Sequence, residues 1–231
     1  MTRYAKPLGL TVLAALLIVA VAAPSASALK EIRSAAAPRI ITGALPAGKT
    51  FAFKVSVGEI KCTTANIEGT MTKTDQPSLK VTPVFSGCTE VLNGAKVDVT
   101  TTGCSFTYTY EEVVVETEPK QTHTPGPMHI SCEGGNKIQL TPTIFGGSIC
   151  TFEIPPQTPF EPQVDHKVLG TPSYVLITYT IEQLEYTVKG GGKTCGEEGV
   201  HKDGFFIGSQ EAKGYESNAG KEGAQVAIWI S

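Results

Sequence analysis

Apolar and polar side chains alternate in short runs along most of this sequence. Phe51 and Phe53 alternate with Ala52 and Lys54, and the segment 105–110 carries an aromatic residue at every second position. A period of two places one row of side chains in a core and the other in water, which predicts half-buried β-strands. About a dozen such runs lie at 50–57, 67–72, 79–85, 97–100, 105–115, 128–132, 137–144, 149–154, 174–180, 184–188, 205–215 and 224–230.

Turn residues separate these runs, and no stretch has a sustained helical period. Asn93-Gly94 predicts a tight turn, because both residues tolerate positive φ. Pro83 within the run 79–85 predicts an edge position or a bulge, because proline cannot donate to a ladder. The run 174–180 is apolar on both faces, which favours a central strand with 184–188 as its neighbour. We therefore predict an all-β protein, either an antiparallel β-sandwich or two packed β-meanders.

The chain divides into three segments by pattern. Residues 1–28 have the pattern of a signal peptide, residues 29–49 lack a period and are expected to form a leader or linker, and residues 50–231 carry the β-domain. The five prolines within 155–173 predict an irregular connection, and a subdivision of the domain near this segment is the alternative to a single unit.

The first 28 residues predict export. Arg3 and Lys6 precede an apolar stretch at 8–23, and Ala26-Ser27-Ala28 has the form of a cleavage site. An uncleaved anchor is the alternative, but about 16 apolar residues fall short of the roughly 20 that span a bilayer. We expect a secreted, extracellular protein without stable membrane insertion after cleavage, associated with the cell wall or free.

Six cysteines are consistent with an oxidising compartment. Cys62, Cys88, Cys104, Cys132, Cys150 and Cys195 all lie beyond the predicted signal peptide, and none has C-x-x-C spacing. An even number in an exported chain predicts three disulfides, which allow about 15 connectivities. Cys62 and Cys88 flank a predicted hairpin that brings them together, so we expect this pair; the other four partners stay open.

Charge argues against two classes of partner. The formal net charge is −3, and it becomes −5 without residues 1–28, which contain two basic residues and no acidic one. Nucleic acids and anionic membranes require a basic patch, so neither is expected as a partner.

Three polar segments suggest chemistry at first sight. Glu111, Glu112, Glu116 and Glu118 surround a valine triplet, where they either bind a cation or, as we favour, keep an edge strand soluble. Glu197, Glu198, His201 and Asp203 form a polar loop that matches no metal-ligand spacing. Gly190–Thr194 resembles a phosphate loop, but the required first glycine is Thr187 and no helix signal follows. We predict no cofactor and no metal.

Exposed aromatic residues would be needed by a binding module. The pool consists of Tyr108, Tyr110, Tyr174, Tyr179 and Trp229. Trp229 lies opposite the apolar face of Val226, Ile228 and Ile230, so it is either packed under a loop, which we favour, or exposed as a ligand contact.

Several short motifs carry a resemblance. FSGC at 85–88, GCSFTY at 103–108, IPPQ at 154–157 and VAIW at 226–229 resemble uncharacterised secreted β-rich proteins of high-GC Gram-positive (actinobacterial) bacteria. The resemblance covers most of 62–231 and implies an exported bacterial β-domain. Its motifs are structural, so it implies no catalytic residue.

Three functions remain in view. A non-catalytic structural or binding module at or near the cell surface, with cell-wall glycan or an extracellular protein as partner, is favoured because no catalytic motif is found. A secreted glycan hydrolase is the alternative, with its carboxylates among Glu111, Glu112, Glu197, Glu198 and Asp203. A secreted inhibitor or effector using the proline-rich segment 155–173 is the third.

Overall fold

The computed structural model describes residues 31–55, 58–90, 94–109, 114–115, 122–123, 128–159, 163–190, 192–218 and 221–230. Within these ranges the strands are β1 (Ile32–Ser34), β2 (Arg39–Ala44), β3 (Phe51–Val55), β4 (Gly58–Met71), β5 (Asp75–Gln76), β6 (Ser78–Glu90), β7 (Lys96–Thr100), β8 (Cys104–Thr109), β9 (Val114–Val115), β10 (Thr122–His123), β11 (Met128–Cys132), β12 (Ile138–Ile144), β13 (Gly147–Ser148), β14 (Thr151–Ile154), β15 (Gln163–Leu169), β16 (Tyr174–Lys189), β17 (Gly199–Asn218), β18 (Lys221–Val226) and β19 (Ile228–Ile230). The expected all-β, antiparallel, disulfide-braced fold class is confirmed.

Eight of these strands form a closed ring. Hydrogen-bonded neighbours follow the order β17-β2-β4-β6-β7-β12-β14-β16, and β16 pairs again with β17 over most of its length. Closure removes two exposed sheet edges, which otherwise tend to pair with other chains. The remaining strands attach to this ring or, as β19-β1-β5, form a small separate sheet.

The ring encloses one hydrophobic cluster with aromatic residues at its centre. Phe51 lies 4.3 Å from Phe206, 5.0 Å from Phe85 and 5.8 Å from Phe53, measured between ring centroids. Residues from both sides of 155–173 belong to this single cluster, so the core is continuous across the segment where a subdivision was considered. The alternation in the sequence matches this arrangement, because the buried rows of β4, β6, β16 and β17 all face inward.

Strand β17 has a break in its backbone ladder near its centre. On one side it pairs with β3 at Phe205–Ile207 and with β2 at Glu211–Glu216, and no described strand pairs with residues 208–210 on that side. Gln210 fills this break, since its side-chain Nε2 donates to the Ala65 carbonyl of β4 at 3.0 Å. Its Oε1 accepts from the Tyr179 hydroxyl of β16 at 2.9 Å. A buried amide therefore joins three strands where the backbone ladder does not.

Strand β16 corrects one prediction. The runs 174–180 and 184–188 were expected to be neighbouring strands, but they are parts of a single strand. The ladder with β17 shifts between Ile181 and Leu184, where Gln183 has a positive φ of 56°. This bulge puts two exposed residues in succession and then returns Leu184 to the core, so the alternation resumes without a turn.

Two segments that were expected to be irregular contain strands. The predicted leader 29–49 contributes β1 and β2, and Ile32 and Ile41 are buried. Residues 163–169 form β15, which pairs with β16. Both segments lack a long alternating run. Strands β1 and β2 pair with strands distant in sequence, whereas β15 forms a hairpin with the next strand, β16.

Pro83 lies on β6, which has neighbours on both sides, but its own position is paired on one side only, as an edge position would be. Pro83 pairs with Ile67 of β4, while on the other side of β6 the described ladders end at Val81 and resume at Cys88. Thr101 Oγ1 donates to the Pro83 carbonyl in this interval, at 2.6 Å. The proline nitrogen, which has no hydrogen to donate, therefore faces the side of β6 on which no ladder is described at this position.

Three disulfides connect strands or strand ends. Cys62 bonds to Cys88, the pair expected from the hairpin that they flank, and these residues are directly opposed in the β4–β6 ladder. Cys104 bonds to Cys132 in the same manner across β8 and β11. Cys150 bonds to Cys195, which ties the start of β14 to the loop that follows β16. The described residues contain no free cysteine.

Candidate functional site

A groove of about 510 Å³ lies on the outer surface of the ring, across β17, β2, β4 and β6. We call it the outer groove. Its volume falls in the range of small-ligand sites, about 300–1,000 Å³. Its lining combines hydroxyl, amide, carboxylate and ammonium groups with a tyrosine, a glycine and three apolar side chains: Thr42, Gly43, Ala44, Asn66, Ile67, Glu68, Thr82, Val84, Glu211, Lys213, Tyr215 and Glu222.

Strand register places these groups in a row. Lys213 is opposite Thr42, Thr42 is opposite Glu68, and Glu68 is opposite Thr82. Four adjacent strands at about 4.8 Å spacing make this row about 14 Å long. The outer groove is therefore an extended polar surface, long enough for more than one small ring.

One ion pair and one aromatic contact organise the β17 side of the groove. Lys213 Nζ lies 3.2 Å from Glu211 Oε2 and 5.3 Å from the centroid of the Tyr174 ring. Tyr215 lies two residues further along β17 and is half-buried. With Glu68 and Glu222 also present, the groove carries three carboxylates and one ammonium group. Such a surface favours a neutral or cationic ligand over an anionic one.

The chemistry of the groove is that of hydrogen bonding and stacking. Carboxylates accept hydrogen bonds, while hydroxyl and amide groups both donate and accept. Tyr215 adds an apolar ring with a polar end, and Val84, 54% exposed, adds an apolar contact. These groups suit a polyhydroxylated ligand that presents hydroxyls at its edges and C–H groups on its faces.

The predicted polar loop at 197–204 is largely strand, because β17 begins at Gly199 and pairs there with β16. His201 Nε2 lies 2.8 Å from the Glu197 carbonyl oxygen, and the imidazole stacks on Tyr186 at 5.1 Å between centroids. The Tyr186 hydroxyl donates to Asp203 Oδ1 at 3.0 Å, while Glu198 is exposed. No group of three or more histidine, cysteine, aspartate or glutamate side chains that could hold a metal ion occurs in the part of the chain that the structure describes.

The other sequence candidates either lie outside the described residues or form a local turn. Glu111, Glu112, Glu116 and Glu118, together with Tyr110, Asn93 and the predicted signal peptide, lie outside the described residues. The segment Gly192–Thr194 forms a 3₁₀ turn beside Cys195, and the following strand begins at Gly199.

Most of the predicted aromatic pool does not face the groove. Tyr108 and Tyr179 are buried, so they cannot serve as a binding platform. Trp229 is half-buried on β19, opposite Arg33 of β1, and does not line the outer groove. The ring surface has another cavity, between β7 and β16, and Trp229 does not line that one either. Tyr174 is half-buried beneath Lys213.

Sequence reasoning missed the residues that do line the groove. Glu211, Lys213 and Tyr215 alternate with Ala212 and Gly214, so their outward direction was visible in the pattern. Their nearness to Glu68 and Thr82 was not visible, because it depends on which strands are neighbours.

No helix in the described residues is long and apolar enough to cross a membrane. Comparisons with protein-family models, with curated proteins and with solved structures find no match to this chain. The resemblance to secreted actinobacterial proteins therefore stays a prediction.

Proposed function

We propose that this protein is a secreted, non-catalytic binding module that acts at or near the cell surface, and that its outer groove binds a glycan. The observation that carries the proposal is the groove itself, with a row of polar side chains about 14 Å long beside Tyr215. Three disulfides are consistent with an oxidising, extracellular compartment. The predicted signal peptide supports export.

A glycan fits the groove better than other ligand classes. Nucleic acids and other polyanions meet three carboxylates there and only one lysine. A purely apolar ligand would leave the carboxylates and hydroxyls of the groove desolvated without partners. Neutral sugars satisfy these groups with their hydroxyls and stack their apolar faces on tyrosine.

The test is retention of the exported protein on a panel of insoluble polysaccharides and cell-wall preparations. We expect saturable binding that Tyr215→Ala weakens at least about fivefold, the effect of losing about 1 kcal/mol at an aromatic contact. Glu68→Gln should weaken it as well, because an amide is a weaker acceptor than a carboxylate.

Phe205→Ala provides the matched control. Like Tyr215, Phe205 is a half-buried aromatic residue on β17, but it does not line the groove. Lys54 lies over its ring, 5.2 Å from the centroid. Equal losses in Tyr215→Ala and Phe205→Ala would reject the groove as the site. No retention on any preparation would reject a glycan ligand and favour an extracellular protein as partner.

Two further measurements address the remaining parts of the proposal. Reducing-end assays on every retained polysaccharide should show no cleavage, and measurable cleavage would establish the hydrolase alternative instead. N-terminal sequencing of the exported chain should begin at Leu29, after Ala28, and a chain beginning at residue 1 would contradict the predicted signal peptide.

A further inference from the structure

A second cavity, of about 360 Å³, lies on another part of the ring surface, between β7, β12, β14 and β16. Glu153 of β14 is at its base, with Lys137 and Lys189 on either side. We call this cavity the lysine pocket. It is separate from the outer groove and shares no lining residue with it.

Glu153 holds the two lysines in fixed positions. Lys137 Nζ lies 2.7 Å from Oε2 of Glu153, and Lys189 Nζ lies 2.8 Å from Oε1. The Glu153 side chain is only 9% exposed, although its strand register puts it on the outer surface opposite Gln139 and Thr187. The hydrogen bond from Lys137, and then that from Lys189, holds the pKa of the Glu153 carboxyl below its ordinary value. The carboxylate therefore stays ionised and fixes both ammonium groups.

Each lysine keeps donor capacity after this contact. An ammonium group has three N–H donors, and Glu153 accepts one from each lysine. The Lys189 side chain is 57% exposed and that of Lys137 is 36% exposed, so both ammonium groups reach the solvent-facing part of the pocket. Two lysines and one glutamate give the pocket a net charge of +1, in a chain whose formal net charge is −3.

The rest of the lining is polar as well. Thr100, Thr102, Asn136 and Gln139 contribute hydroxyl and amide groups, and glycine is the only other residue type in the lining. Asn136 is placed by the turn beside it, because its amide packs against Gly103 so closely that a side chain there would overlap it. A cavity that is positive and polar, without an apolar wall, fits a small anionic group rather than a hydrophobic ligand.

We propose that the lysine pocket binds an oxyanion, the carboxylate or phosphate group of a polar ligand, with Lys137 and Lys189 as donors and Glu153 as the positioning residue. Lysine binds such groups as a compact charge with several donors, and bonds between charged partners are about twice as strong as neutral ones. The threonine and amide groups of the lining then contact the uncharged remainder of the ligand. This proposal does not depend on glycan binding by the outer groove.

The experiment titrates inorganic phosphate, and separately glucuronate, into isotope-labelled full-length exported protein at constant ionic strength. Amide signals of Gln139 and Lys189 should shift and saturate, while those of Glu68 and Thr82 in the outer groove should not. The anion that binds more tightly assigns the group as phosphate or carboxylate. A linear drift without saturation for both anions would overturn the proposal.

Two lysine substitutions locate the site. Lys189→Met removes the charge and keeps the aliphatic chain, and we expect it to weaken binding roughly tenfold, as for a lost charge-assisted hydrogen bond. Lys61→Met is the control, because Lys61 is a similarly exposed lysine in an ion pair with Glu59 but lies on β4, outside the pocket. Equal losses in both variants would show general attraction to positive charge and reject the pocket.

Glu153→Gln tests the positioning role. The substitution raises the net charge of the pocket, so if Glu153 only competes with the ligand for the lysines, phosphate binding strengthens and the proposal fails. If Glu153 positions the lysines, binding weakens despite the added positive charge. The ammonium resonances of Lys137 and Lys189 give a second readout, because they should broaden and shift towards those of free lysine in this variant.

Discussion

Gln210 permits the sharpest test of how this ring is held closed. Its side chain is 2% exposed and occupies the break where β17 has no described backbone partner on one side. It accepts from the Tyr179 hydroxyl and donates to the Ala65 carbonyl, so it joins β16, β17 and β4. Gln210→Met conserves the approximate size and removes both hydrogen bonds without opening a large cavity.

The magnitude follows from the two lost bonds. The Ala65 carbonyl becomes a buried acceptor that has lost this donor, which destabilises by about 1–3 kcal/mol. Losing the bond from Tyr179 adds about 0.5–1.5 kcal/mol. Gln210→Met should therefore lower the free energy of unfolding by about 1.5–4.5 kcal/mol, which at a slope of about 2 kcal/mol/M lowers the urea midpoint by roughly 0.8–2.3 M.

The assay is equilibrium unfolding in urea with the disulfides oxidised, followed by circular dichroism. Gln139→Met is the control, since Gln139 is an exposed residue on β12, and it should change stability by less than about 0.5 kcal/mol. Amide exchange of residues 63–66 and 208–210 should accelerate in Gln210→Met beyond the change elsewhere in the ring. A urea midpoint for Gln210→Met within error of that for Gln139→Met would refute the view that the Gln210 amide replaces backbone hydrogen bonds missing from β17.

Three other predictions concern single side chains. Gly208→Ala should lower the free energy of unfolding by about 1–3 kcal/mol, because a Cβ at this position would overlap the Phe51 ring. Urea unfolding measures the change, and a neutral result would mean that Phe51 moves freely. Phe145 is fully exposed, has a φ of 50° and immediately precedes Gly146. Phe145→Asn should raise the free energy of unfolding by about 0.5–1 kcal/mol, because it gives the turn its preferred Asn-Gly pair. Phe145→Ala should raise it less. Stability should fall at both extremes of pH. The pKa of Glu153 is lowered in the folded protein, so this carboxyl contributes stability above its ordinary pKa of 4.5, and that stability is lost as the pH falls. Burial raises the pKa of Tyr108, so stability is lost above about pH 10, where the phenol of the unfolded chain ionises first. Urea midpoints across pH measure both limbs, and Glu153→Gln and Tyr108→Phe should each flatten only its own limb.

The ligand-binding surfaces show where sequence patterns stop being informative. Glu211, Lys213 and Tyr215 alternate with smaller residues, so their exposure on one face could be predicted. The lysine pocket combines residues 137, 153 and 189, which share no motif and meet only because β12, β14 and β16 are neighbours. Glu197 and His201, which are close together in sequence, instead contact each other, and His201 also stacks on Tyr186 of β16.

By itself the sequence determined the local elements of this protein. Alternation with a period of two is set by the geometry of one strand, so the strands at 51–55, 78–90 and 128–144 could be predicted from their own residues. The disulfide Cys62–Cys88 was predictable for the same reason, since a single hairpin brings the two cysteines together.

Only the tertiary structure decided the partners of distant segments. The short strands β1 and β2 lack a pattern of their own and form because β19, β17 and β4 supply the other half of each ladder. The Cys104–Cys132 and Cys150–Cys195 pairs and the bridge from Gln210 to Ala65 likewise join residues between 28 and 145 positions apart. Hydrophobic burial rewards any arrangement that hides the apolar faces, and the choice among arrangements rests on packing and hydrogen bonds between whole strands, which no single segment encodes.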